Sequence, residues 1–134
     1  MFCDLGINVD LPANSAPFCQ ERVNHLYTSF ISVGKVKSKK DCVAIQVSGV
    51  FVGLEDISAF LNSETYRLEV NKNNNHTVVL SIDKKTPAPL IRDVIESILQ
   101  YDRNIEIVFS LIDRSKEKVC FVDSISIYKS YLRQ

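Results

Sequence analysis

The sequence predicts a β-rich α+β fold: a small curled antiparallel sheet or barrel of about six strands, with one amphipathic helix over 90–101 packed on it. Short runs rich in β-branched and aromatic residues recur along the chain, and most alternate with period two. Polar turn-forming clusters, "KSKKD", "NKNNN" and "DRSKEK", separate several of them. One segment alone carries a long apolar stripe at helical spacing.

Residues 1–20 hold Pro12, Pro17 and several small polar residues. They are expected to form an extended arm with little regular structure, ahead of a single domain over 21–134. Leu26 to Val36 reads as a strand, and Cys42 to Val52 as a second, with Val43, Ile45, Val47 and Phe51 on one side. Gly34 and Gly49 fall inside these strands and mark a bulge or sharp bend. "EDISAFLNS" reads as a short helix. "TYRLEV" and "HTVVLSI" alternate on either side of an Asn-rich turn and read as a third and fourth strand.

In "TPAPLIRDVIESILQYD", Thr86 can cap a helix whose first turn tolerates proline. Leu90, Ile91, Val94, Ile95, Ile98 and Leu99 form its apolar stripe, and Arg92, Asp93, Glu96, Ser97 and Gln100 cover the other side. "IEIVFSLI" and "VCFVDSISIYKS" then make a hairpin with a polar tip, with Ile105, Ile107, Phe109 and Leu111 pointing one way. Strict alternation in the last strand puts Asp123 beside Val119, Phe121, Ile125 and Ile127. A bulge over 122–124 would turn its carboxylate outward. Otherwise it is a buried, hydrogen-bonded carboxylate or a catalytic one.

A chain of 134 residues can bury a core without disulfides or metal. Lys plus Arg and Asp plus Glu number sixteen each, so net charge does not indicate a strong nucleic-acid binder. No apolar run is long enough to span a membrane, and the first residues do not read as a secretory signal. Cys3, Cys19, Cys42 and Cys120 are far apart, with no C-x-x-C pair. They read as free, mostly buried thiols in a reducing intracellular compartment, cytoplasmic or nuclear. No metal site and no cofactor are expected. His25 and His76 read as solvent-edge residues, and no Gly-rich phosphate loop exists among four unclustered glycines. No catalytic constellation can be assembled, so the chain is not expected to be an enzyme.

Basic residues concentrate at two predicted hairpin tips. Lys35, Lys37, Lys39 and Lys40 lie at one, and Arg114, Lys116 and Lys118 at the other. The order of elements over roughly 26–130, with a helix ahead of a closing hairpin, resembles the OB-fold, so an OB-like barrel is one form the sheet could take. That resemblance implies that the two basic tips flank an oligonucleotide groove, with Tyr27, Phe51 and Tyr66, and Phe30 beside them, as candidate stacking platforms. Six candidate strands and an extra helix depart from the five-stranded pattern.

Two functions follow as expectations. The first is a non-catalytic accessory subunit of a nucleic-acid-handling assembly, with weak single-strand contact through the basic tips and strong protein contacts. The second is a pure protein-interaction module, such as an inhibitor or immunity-type protein, without nucleic acid. Phe2, Leu5, Ile7, Tyr128, Tyr131 and Leu132 near the ends of the chain would dock on another subunit or a second copy.

Overall fold

The computed structural model describes residues 7–14, 19–21, 23, 26–37, 42–114 and 116–123. In chain order its elements are β1 (Ile7–Asn8), β2 (Ala13–Asn14), β3 (Thr28–Val36), β4 (Val43–Val47), β5 (Val50–Val52), α1 (Ile57–Arg67), β6 (Thr77–Ile82), α2 (Ala88–Tyr101), β7 (Glu106–Asp113) and β8 (Lys118–Asp123). A single turn of 3₁₀ helix, Leu54–Asp56, leads into α1.

The fold is β-rich α+β, with α2 packed on the sheet. Its lateral strand order is β5-β4-β3-β6-β7-β8. The sheet is mixed, however, and not wholly antiparallel. β3, β6 and β7 run parallel, while β4, β5 and β8 are antiparallel to their neighbours. It is also open and not a closed barrel, with β5 as the edge on one side. The parallel strands follow from two helical crossovers, α1 ahead of β6 and α2 ahead of β7. "TYRLEV" is not a strand: its first residues complete α1, which makes the link from β5 to β6 a helical crossover. A helical crossover returns the chain to the same end of the sheet and so creates a parallel pair.

Alternation misled here because the core-facing stripe of α1 contains a carboxylate. Ile57 and Leu61 are fully buried, and Glu64 follows on the same face, 7% exposed. Val43–Val52 is likewise two strands and not one. Ser48 and Gly49 both have positive φ, 49° and 79°, and close a two-residue hairpin. That turn moves Phe51 opposite Gln46, off the face of Ile45 and Val47, and leaves Val43 exposed.

The main core lies between the sheet and the helices. Ile31, Val33, Val78 and Leu80 from the central strands meet Ile57, Leu61, Val94 and Ile98, all fully buried. Ile105, Ile107 and Leu111 share one face as expected, and Phe109 packs with them. The stripe of α2 is as expected, but Pro87 occupies the N-cap and the Thr86 hydroxyl is buried without a partner, so Thr86 does not cap.

In β8 the register from Asp113↔Lys118 to Val108↔Asp123 runs without a bulge. Cys120 and Val122 are the buried side, and Val119 and Asp123 face outward. Asp123 is therefore exposed by ordinary alternation, and is not a buried carboxylate. Cys120 is bonded to Cys19 across a sequence separation of 101, with Cα atoms 5.6 Å apart. This corrects the expectation of free thiols for that pair, and the bond does not clearly fit a reducing compartment. Cys42 is free and exposed.

Within the arm, residues 7–14 join the sheet. β6 ends at Ile82, while β3 and β7 run on beside it. β1 pairs with β3 on the side away from β4, since Lys35 faces both Asn8 and Val43. β2 pairs with β7 on the side away from β8, since Asp113 faces both Asn14 and Lys118. Residues 7–14 therefore fill the gap above β6. The Asp10 amide donates to Oδ1 of Asp83 at 2.7 Å, and the Lys84 amide donates back to the Asp10 carbonyl at 2.8 Å. Gly34 permits this approach, because a Cβ there would collide with the Asn8 carbonyl oxygen.

Candidate functional site

Strand direction determines where the charged tips fall. β3 and β7 flank β6 and are parallel to it, so the loops that follow them leave the same end of the sheet, about 10 Å apart laterally. Lys35, Lys37, Arg114, Lys116 and Lys118 are exposed there. Lys39 and Lys40 lie outside the described residues. Lys84 and Lys85, both exposed, follow β6 at the same end and complete a basic rim. Their place beside the two tips depends on β6 running parallel to β3 and β7, which the sequence pattern does not display. Both helices run back from this end, so their amino termini add partial positive charge to it. Two rim lysines are paired: Lys84 Nζ lies 3.0 Å from Asp10, and Lys116 Nζ lies 2.5 Å from Glu21. The arm occupies the middle of the rim between the two tips.

The aromatic candidates are scattered. Tyr27 precedes β3 and Tyr66 lies near the end of α1, both toward the far end from the rim, and Phe51 is half-buried on β5. Tyr66 is 79% exposed. Ile7 is half-buried in β1. Phe2, Leu5, Tyr128, Tyr131 and Leu132 lie outside the described residues.

The opposite end of the sheet holds a polar cluster whose parts the sequence did not connect. His76 precedes β6 and is buried, so it is not a solvent-edge residue; His25 lies outside the described residues. His76 Nε2 is 2.7 Å from the hydroxyl of Ser29 at the start of β3. Glu64, from the core face of α1, accepts two bonds from Arg67, at 2.6 and 2.9 Å. The Arg67 hydrogen bonds hold the Glu64 carboxyl below its ordinary range; burial opposes this, and the Ser29 hydroxyl assists. Burial pushes His76 down as well, against the pull of Glu64 and Asp102.

In the Ser29–His76 bond either atom can be the donor, depending on the imidazole tautomer. Nδ1 of His76 is buried without a partner. Ser29 is fully buried, which closes its hydroxyl to any substrate carbonyl. His76 also lines a cleft of about 350 Å³, with Thr65, Asn71, Lys72, Asn74 and Asp102 among its walls.

Among the described residues no group of three His, Cys, Asp or Glu could hold a metal ion, and no helix is long and apolar enough to cross a membrane. No protein-family model, curated protein or solved structure matches this chain significantly.

Proposed function

We propose that this chain is a non-catalytic binding module whose basic rim engages an anionic partner, a single strand of nucleic acid held weakly within a larger protein assembly. One observation carries the reading: two cationic hairpin tips, distant in sequence, emerge at one end of the sheet with Lys84 and Lys85 between them. Both helix amino termini reinforce the sign of the potential at that end. Open sheets that carry parallel strands commonly bind ligands at the carboxyl ends of those strands. Neutral net charge and the Asp10 and Glu21 pairs favour weak, salt-sensitive contact over tight independent binding. The sealed Ser29 hydroxyl supports a structural role for the Ser29–His76 pair.

The test is fluorescence anisotropy with a labelled oligonucleotide at low and moderate salt. Reversing Lys37, Lys85 and Arg114 to Glu is expected to abolish binding. Absence of binding to the unaltered protein at low salt would refute the reading.

A second reading, a protein-interaction module with no nucleic acid, is favoured by the edge strand β5. Val50 on that edge is 59% exposed, and an extended partner segment could add to it. The disulfide bears on the setting of either function, since such bonds persist in oxidising surroundings.

A further inference from the structure

We infer that the cleft between the 71–75 turn and Asp102 binds a neutral polyhydroxylated ring, a pyranose sugar. The site is independent of the basic rim and lies at the other end of the sheet.

The selection rests on three side chains anchored in the same manner. Asn71 and Asn74 each turn the side-chain oxygen to a main-chain amide, that of Asn73 at 2.7 Å and that of Asn71 at 2.9 Å. With the oxygens so engaged, the two NH₂ groups stay available as donors, and their directions are fixed. One carboxylate oxygen of Asp102 likewise accepts from the Asn104 amide, at 2.9 Å, and the other is left as an acceptor. All three residues line one cleft. Its donors and its acceptor are held before any ligand arrives, so binding orders little more of the protein. Asn71 is exposed, and Asn74 and Asp102 are half-buried, so a ligand reaches them with the turn in place.

Charge and polarity narrow the ligand further. Lys72 and Asp102 are the charged residues among the described walls aside from the imidazole of His76, and their signs are opposite. α1 and α2 both end here, joined by the 2.8 Å bond between the Thr65 and Tyr101 hydroxyls, and helix carboxyl ends carry partial negative charge. An anion would meet that field and the Asp102 carboxylate. A cation would leave the two NH₂ donors without an acceptor. An apolar ligand would strip water from these groups and gain only Val70, the one apolar residue among the described walls. A hydroxyl both donates and accepts at a single atom. Neighbouring hydroxyls on a ring therefore donate to Asp102 and accept from Asn71 and Asn74 at once. A volume of about 350 Å³ stands at the small end of ligand sites and admits one ring.

The probes are the methyl α-glycosides of D-glucose, D-galactose and D-mannose, titrated into the full chain. ¹H–¹⁵N spectra of the asparagine NH₂ groups report the contact directly. At least one glycoside is expected to shift the Asn71 and Asn74 side-chain resonances saturably, and equally at low and moderate salt, since the ligand is uncharged. Cyclohexanol, a ring with one hydroxyl, is expected to bind at least about tenfold more weakly. Asn74→Asp and Asp102→Asn each keep the oxygen that accepts from the main chain and exchange the free atom, NH₂ for oxygen and oxygen for NH₂. Each is expected to weaken the glycoside about tenfold or more, with the remaining amide spectrum of the free protein preserved. No saturable shift with any of the three glycosides, equal affinity for cyclohexanol, or undiminished binding in either variant would overturn the assignment.

Discussion

The hydroxyl of Ser29 and Nε2 of His76, 47 residues apart in sequence, are 2.7 Å apart in the interior. This bond ties the start of β3 to the start of β6. Ser29→Ala would strip a partner from the buried imidazole. The expected loss is about 1–3 kcal/mol of folding stability, read from the midpoint of urea unfolding. An unchanged midpoint would mean that the network contributes nothing net.

The same cluster makes stability depend on pH. His76 titrates below its ordinary 6.5 in the folded state, and Glu64 below its ordinary 4.5. In both cases the unfolded chain binds protons more readily, so stability falls as pH falls. The contribution of His76 is complete above about 6.5 and declines below it; that of Glu64 is complete above about 4.5 and declines on further acidification. Unfolding midpoints measured between pH 8 and 5 should drop toward the acid side, and H76Q should flatten that slope. A midpoint that rises on acidification over this range contradicts the assignment of a neutral, buried imidazole.

Gly34→Ala tests the docking of the arm. The added methyl group meets the Asn8 carbonyl, so β1 must detach or the strand must bend. A cost of about 1–3 kcal/mol is expected. Amide exchange should quicken at Lys84 and Ile112, whose donors are held by arm carbonyls of Asp10 and Pro12. Exchange at the wild-type rate would show that the arm is not held there.

Glu69→Gly should stabilise the protein. Glu69 ends α1 at a φ of 56°, while the Val70 amide returns to the Thr65 carbonyl at 3.0 Å. Glycine takes this left-handed conformation without a Cβ penalty, so a gain of about 0.5–1 kcal/mol is expected in thermal or urea unfolding. The E69A variant, which keeps the penalty, should gain nothing.

Reduction of Cys19–Cys120 opens a loop of 101 residues. The denatured chain regains its freedom, and stability should fall by about 2–4 kcal/mol with reductant. C19A/C120A should match the reduced protein and respond no further to reductant.

Elements with a single strong period were legible in the sequence. The stripe from Leu90 to Leu99, the alternation of Val78, Leu80 and Ile82, and the closing hairpin all stand where the pattern placed them. What failed were elements broken by a local reversal, as at Ser48 and Gly49, or by a polar residue on the core face. Glu64 interrupts the apolar face of α1 although it is buried, so the stripe there does not read as helical. That misreading turned the α1 crossover into a hairpin and hid the parallel pairing of β3 with β6. The polar cleft was illegible for a related reason. His76, Asp102 and the Asn-rich turn meet only because β6 and β7 are parallel and both helices end beside them. The basic tips were visible as clusters, but their placement at one end required the strand directions.

Cys19 and Cys120 have a mechanical consequence. Tension applied to the two ends of the chain would peel β1 and β2 from the sheet and then pass straight through the sulfur–sulfur link. Residues 20–119, with both helices and nearly the whole core, would bear no load until that covalent shortcut was cut.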